Sequence, residues 1–372
     1  MGGGPDKEDL LVTVPLPRSA FNLAKLQKRY PDFKVTFIQI NRDDLSDEQR
    51  KSELKALYKK ATILLTLHLL PDDPGDIPNL KLIHLLSAGV DHVVSSPIFT
   101  STTIPLTTSS GIHGPPIAEW VLASVLGLSR HSFTMHKWQR DHHWGGTSEL
   151  PGGMGSMSDW LGKTVGIAGY GSIGRQIARV FTALGCRIHA YTASPRNTPE
   201  ARRDTGYLLP GVGDPEGTLP AAWYSGTTPE SLHTFLRSGL SLLIIALPLT
   251  PATTGLFGAE EFQILHDAAP GGGKAAKTIL VNIARGKIVD TEAMLMALDG
   301  GMLRGAALDV TEPEPLPEGS ELWDREDVVV TPHMSALGVE YMVRAFDVFV
   351  SNIDRLEKGE RLVNEVKRGR GY

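Results

Sequence analysis

One cysteine, Cys186, occurs in 372 residues. A single thiol cannot close a disulfide within the chain. That excludes a disulfide-stapled scaffold and fits a reducing, cytoplasmic setting. Its place beside an apolar strand predicts packing rather than nucleophilic work. Long hydrophobic runs are missing: no segment approaches the ~18 apolar residues of a membrane span, and the opening MGGGPDKEDL lacks the apolar core of a secretory leader. A basic excess is missing too, since 37 Lys and Arg stand against 42 Asp and Glu, net −5. Neither nucleic acid nor an anionic membrane is an expected partner. HExxH and CxxC do not occur, and His142 and His143 are adjacent rather than one helical turn apart. The 12 histidines therefore suggest no zinc site.

What is present reads as a soluble α/β chain, with 41% hydrophobic and 21% charged residues and a length that suits two domains. Short apolar runs at 10–16, 34–40, 61–67 and 80–86, with a shorter one at 104–107, alternate with helical stretches such as Asp47 to Lys60. That alternation implies parallel strands joined by helical crossovers. At SSGIHGPPIAEWVLASVLGLSR (109–130) a Gly- and Pro-bearing loop gives way to a long helix, read as a hinge between domains. Pro115 and Pro116 suit the helix start, where a missing N–H costs nothing. Further strands are expected at 163–170, 187–192, 241–248, 278–284, 305–310 and 327–332, followed by a helical tail from about Ala336. Residues 194–233, rich in Pro, Gly and charge, read as one long loop. It is either functional or a tolerated surface insertion.

The stretch VGIAGYGSIGRQIARVF carries Gly169, Gly171 and Gly174 as G-x-G-x-x-G between an apolar strand and a helix. Gly169 permits the tight turn, Gly171 lets backbone approach a pyrophosphate, and Gly174 lets helix and strand pack closely. The helix N-terminus then meets the phosphates. About 20 residues on, this pattern expects an acidic residue for the ribose 2′-OH; the chain has Thr192, then Ser194 and Arg196. Threonine does not repel a 2′-phosphate, and Arg196 would pair with one through two hydrogen bonds. NADP(H) is therefore the expected cofactor. The alternative is that Arg196 faces solvent while Thr192 and Ser194 serve a 2′-OH, so NAD(H) stays open.

Arg285, Asp309, Glu314 and His333 each follow a strand, and in open α/β sheets ligands sit beyond the strands' carboxyl ends. Hydride transfer to a ketone leaves negative charge on its oxygen, and a histidinium is suited to deliver the matching proton. A nearby carboxylate favours that histidinium; Glu314 takes the role here, with Glu312 as the alternative. Arg285 would clamp a substrate carboxylate through two bonds. Asp309 would orient the nicotinamide.

With these residues in view, the chain resembles the D-isomer-specific 2-hydroxyacid dehydrogenase family, and its glyoxylate/hydroxypyruvate reductase-like members most. The motifs are LGKTVGIAGYGSIGRQIA, LPLTPATTGLF, VNIARGKIVD, ALDVTEPEPLP and TPHMSA, in that order. The resemblance implies catalytic roles for Arg285, Glu314 and His333, with Glu and His as the acid–base pair. It implies cofactor contacts along those motifs at Ser172, Ile173, Leu247, Pro248, Ile283, Ala284 and Asp309. In LLSAGVDHV it implies substrate-carboxylate contacts from the backbone of Ala88, Gly89 and Val90. It also implies two Rossmann-like or flavodoxin-like domains with the active site in the cleft between them. The substrate domain would be discontinuous, 1–110 with 336–372, and the dinucleotide domain would span 111–335. A homodimer pairing through the nucleotide domain is implied as well. The helix from Ile117 is then expected at a subunit interface, unless it is core of its own chain.

The expected activity is reduction of a small 2-keto acid to its D-hydroxy acid. Formate dehydrogenase, a close relative, pairs its histidine with Gln, and Glu314 argues against it. The alternative from another class is a dinucleotide-sensing corepressor resembling C-terminal-binding protein. Thr192 fits a metabolic reductase better, and the terminal KRGRGY is too short for a nuclear localisation cluster.

Overall fold

The apolar runs pair as parallel strands in two separate sheets of a computed structural model that describes residues 8–41, 43–271, 273 and 276–370. Most of the opening stretch read above for a leader, and the last two residues of KRGRGY, lie outside the described residues. The chain divides into two units, Met1–Ile112 with Gly338–Tyr372, and His113–Leu337.

The first unit holds β1 (Asp9–Val14), β2 (Lys34–Gln39), β3 (Ile63–Thr66), β4 (Leu82–Leu85) and β5 (Leu106–Thr108), in the order β2-β1-β3-β4-β5. All neighbours run parallel. The central strands β3 and β4 are buried at every position, which is why they read as unbroken apolar runs, while edge strand β2 is only partly covered. Helix Tyr341–Glu357 returns to this unit, burying Ala345, Phe346, Phe349 and Ile353 on one face. Tyr30 donates a hydrogen bond to Asp354 on that helix.

His84 on β4 is fully buried between Thr107 Oγ1 at 2.8 Å and Ser109 Oγ at 3.1 Å. Burial pushes its pKa down to about 3. The unfolded chain, with an imidazole near 6.5, therefore binds the proton that the folded chain refuses. The neutral-form stability is complete above about pH 6.5 and is lost as pH falls toward 3. Between pH 7 and pH 5 this group alone is expected to cost about 2 kcal/mol of unfolding free energy. Denaturant midpoints at the two pH values, compared between the native chain and His84→Gln, check this. An equal acid sensitivity in the two chains would remove His84 as the cause.

The second unit holds β6 (Thr164–Ala168), β7 (Arg187–Thr192), β8 (Pro220–Ser225), β9 (Leu242–Ile245), β10 (Thr278–Asn282), β11 (Leu303–Leu308) and β12 (Val328–Val330). Their order is β12-β11-β10-β9-β6-β7-β8, with every neighbour parallel. The order reverses between β6 and β9, the position where such sheets open a crevice for a ligand. Helix Gly114–Ser129 buries Ile117, Ala118, Val121 and Val125 in a core shared with Ile177, Ala178 and Phe181 of helix Ser172–Ala183. Its apolar face is thus core of its own unit.

The stretch 194–233 is not one loop. β8 and helix Pro229–Leu236 both fall within or begin in it. Two of its six prolines sit where proline is tolerated: Pro220 opens an edge strand, and Pro229 occupies the first turn of a helix capped by Thr228. Within the remaining 194–219, Asp214 is buried, while Ser194, Pro195 and Asn197 are exposed.

Candidate active site

The glycine turn follows β6 directly. Gly169 has φ +98°, and a Cβ there would lie 2.4 Å from the Ala246 carbonyl oxygen just past β9. A Cβ on Gly174 would lie 2.3 Å from the Gly169 oxygen, so helix and turn touch backbone to backbone. Gly171 differs: nothing lies within 4 Å of its missing Cβ. Open space thus faces the backbone just where helix Ser172–Ala183 presents its first amides, those of Ser172, Ile173 and Gly174, which have no acceptor within the helix. These features fit a pyrophosphate. Leu247 and Pro248 continue from Ala246 along the same rim. Ile283 and Ala284 follow β10, with the Ile283 amide on the Ile245 carbonyl at 3.3 Å.

At the end of β7, the buried Thr192 donates its hydroxyl to the Ser194 carbonyl at 2.8 Å, and the Ser194 residue itself is exposed. Arg196 does not point into solvent. It is half-buried and donates from Nη1 to the Ala201 carbonyl, with its buried Nε lacking any acceptor.

Arg285 leaves β10 at a turn set by Asn282, whose buried side chain donates to the Arg285 carbonyl at 3.0 Å and accepts from the Ala284 amide at 3.1 Å. Arg285 Nη1 donates to the Ala284 carbonyl at 2.7 Å. The next residue, Gly286, touches the backbone after β11 so closely that a Cβ would fall 1.9 Å from the Thr311 oxygen. Only glycine lets the arginine turn and the acidic loop meet. Neither Asn282 nor Gly286 stood out in the sequence as anything but a strand end and a turn.

His333 follows β12 with φ +55°, a left-handed conformation rare for histidine. Its amide is held by the carbonyls of Asp309 at 2.8 Å and Thr331 at 3.0 Å. Its Nδ1 lies 2.7 Å from Glu314 Oε1, with both side chains about two-fifths exposed (42% and 41%). Glu312 instead faces Lys287 at 3.9 Å. The ring nitrogen paired with the carboxylate is thus Nδ1.

Asp309, read above as a nicotinamide contact, is engaged by the loop that carries His333. Its carboxylate accepts from Thr331 Oγ1 at 2.6 Å, the amides of Met334 and Ser335 at 2.9 Å each, and the Ser335 hydroxyl. A carboxylate offers about four acceptor positions, and the His333 loop fills them. Asp309, buried at 2% exposure, holds that loop in place.

In the first unit, Ala88 and Gly89 are half-buried and Val90 is buried. Among the described residues, none of their three amides donates to a backbone carbonyl, which leaves them available to an anion.

Two other groups with reactive chemistry are structural. Burial pushes the Cys186 thiol up to about 11, and it donates to the Trp160 carbonyl at 3.2 Å. His233, Glu260 and Glu261 cluster closely enough for a metal, but Glu261 already caps the helix at Gly258 and pairs with His233 at 2.9 Å.

Residues 122–208 and 216–335 match the model of the D-isomer specific 2-hydroxyacid dehydrogenase, NAD binding domain. Over its length the chain is similar to an NADPH-dependent glyoxylate/hydroxypyruvate reductase of Sinorhizobium meliloti, solved with NADP and sulfate. Identity is 27%, TM-score 0.73, and coverage 98% of this chain and 100% of that one. It is similar to a D-isomer specific 2-hydroxyacid dehydrogenase of Xanthobacter autotrophicus, solved with NADPH and MES, at 27% identity and TM-score 0.73, covering 99% and 100%. An uncharacterised protein of Corynebacterium melassecola is 28% identical over 303 residues, 81% of this chain and 87% of its own.

Proposed function

We propose, for a chain that belongs to the D-isomer specific 2-hydroxyacid dehydrogenase family, that it reduces a small 2-keto acid of the glyoxylate/hydroxypyruvate type to its D-2-hydroxy acid, using NADP(H) in preference to NAD(H). The observation that carries the reading is the 2.7 Å pair of His333 and Glu314 beyond the strand ends. It is a proton donor oriented by a carboxylate. The glycine turn, the open face of Gly171 and the free amides after it suit a dinucleotide. When bound, the reduced nicotinamide supplies a hydride to the substrate's carbonyl carbon. Arg285 binds the substrate carboxylate through its planar fork and polarises the neighbouring carbonyl. In the first unit, the amides of Ala88, Gly89 and Val90 are donors of the kind that suits a carboxylate. His333 delivers its Nε2 proton to the carbonyl oxygen, and Glu314, on Nδ1, fixes the ring.

The preference for NADP(H) rests on Thr192 in place of a carboxylate and on Arg196 beside it. The two similar structures at 27% identity contain NADP or NADPH. A homodimer is part of the proposal, supported by exposed apolar side chains between 131 and 161: Phe133, Met135, Trp144, Met154 and Leu161. Cytoplasmic residence is proposed from the one buried thiol. Among the described residues, no helix is long and apolar enough to cross a membrane.

Initial rates with hydroxypyruvate at matched, subsaturating NADPH and NADH test the proposal. A charged hydrogen bond to a 2′-phosphate predicts a rate about tenfold higher with NADPH. A faster rate with NADH would move Thr192 and Ser194 to a ribose hydroxyl and dismiss Arg196. No turnover with either cofactor, on this or bulkier keto acids, would favour the corepressor alternative.

A further inference from the structure

We infer that residues 194–219 are a built wall of the dinucleotide site, and that Asp214 and Arg175 are positioning residues that hold its 2′-phosphate end in register with the glycine turn. The inference rests on the cofactor reading above.

A path of contacts links the two ends of the site. Tyr170 stands between Gly169 and Gly171, and its hydroxyl donates to Asp214 Oδ2 at 2.8 Å. Asp214 is 4% exposed, and its carboxylate also accepts the amides of Thr218 at 2.9 Å and Leu219 at 3.1 Å. Its own carbonyl accepts from Arg175 Nη1. Arg175 directly follows Gly174 and is 3% exposed. Its Nη2 donates to the Arg202 carbonyl at 2.6 Å, its Nε lies 3.4 Å from Asp204, and its guanidinium lies 5.1 Å from the Tyr170 ring centre. Arg202 Nε then donates to the Arg196 carbonyl at 2.8 Å. The insertion is pinned a second time where the Gly213 amide donates to Gln176 Oε1 at 2.6 Å.

Two consequences follow. The cation next to the last glycine is committed to the backbone of Asp214 and Arg202, within the insertion. And the backbone that carries Arg196 has its position set by a buried charged network, not by solvent. Such a network holds one arrangement when all its members are satisfied and loosens when one is weakened. Residues 209–215, Asp214 among them, fall outside the family match, while the rest of the wall lies within it.

Asp214→Asn keeps the shape and removes the charge; Tyr170→Phe deletes one hydroxyl. In the full chain, dissociation constants for NADPH and NADH are titrated by nicotinamide fluorescence, alongside kcat at saturating cofactor and the melting temperature. Weakening a charge-assisted bond is expected to raise the NADPH constant about tenfold. NADH should move much less, and kcat should change little. A role confined to stability would lower the melting temperature and leave the NADPH-to-NADH ratio untouched. That result in Tyr170→Phe, or in Asp214→Asn, overturns the inference while the cofactor reading stands. If the unmodified chain shows no preference for NADPH, the cofactor reading fails first and takes the inference with it.

Discussion

Replacing His333 with alanine is expected to lower kcat by about two to four orders of magnitude, the usual worth of a positioned general acid, while the dissociation constant for NADPH stays nearly unchanged. The separation follows from where the residue sits. His333 is carried by the loop after β12, and its hydrogen bonds to Asp309, Thr331 and Glu314 lie away in sequence from the glycine turn and the β7 end. Without its imidazole, negative charge on the carbonyl oxygen must wait for a proton from water. Glu314→Gln keeps a hydrogen-bond acceptor on Nδ1 but removes the carboxylate charge. Its loss should be smaller, because the ring keeps a partner that orients it. Steady-state turnover, with cofactor titration as the control, reads both. Near-normal turnover in His333→Ala would take His333 out of the mechanism.

Arg285→Lys is the second large effect expected. Lysine retains the charge but not the planar fork, so one of two parallel bonds to a carboxylate is lost. Arg285→Met loses both, and at about 1.5–3 kcal/mol for each charged hydrogen bond the expected fall in kcat/KM exceeds two orders of magnitude. Lysine should fall between methionine and the native chain. The turn itself is held by Asn282 and by the tight approach of Gly286 to Thr311, so neither substitution should alter the fold. Measuring kcat/KM for hydroxypyruvate and for a keto compound lacking the carboxylate separates binding from folding: the second substrate should be insensitive to residue 285. Equal losses on both would show that Arg285 is structural.

The parts of the site nearest in sequence were the most legible. Gly169, Gly171 and Gly174 announce their roles because a strand, a tight turn and a helix must follow one another within a few residues. Arg285, Glu314 and His333 stood out because each comes just after an apolar run that can only be a buried strand. Asp309 was read as a cofactor contact from the same kind of position. Nothing in ALDV shows that the donors of a loop more than 20 residues later would occupy its carboxylate. β8 was hidden for a related reason. Its Pro220 argues against a strand until the sheet order makes it an edge strand.

By itself, then, the sequence determined the alternation of strands and helices, the parallel sheets and the dinucleotide turn. These depend on local periodicity and on what glycine and proline allow. Tertiary structure alone decided that Glu314 rather than Glu312 meets His333, that Asp309 serves the histidine loop, and that the insertion is anchored beside the glycine turn. Those outcomes rest on pairs far apart along the chain, such as Tyr170 and Asp214 at a separation of 44 residues. The direction of a polar side chain is set by whichever partner the fold brings to it, and no local pattern encodes that.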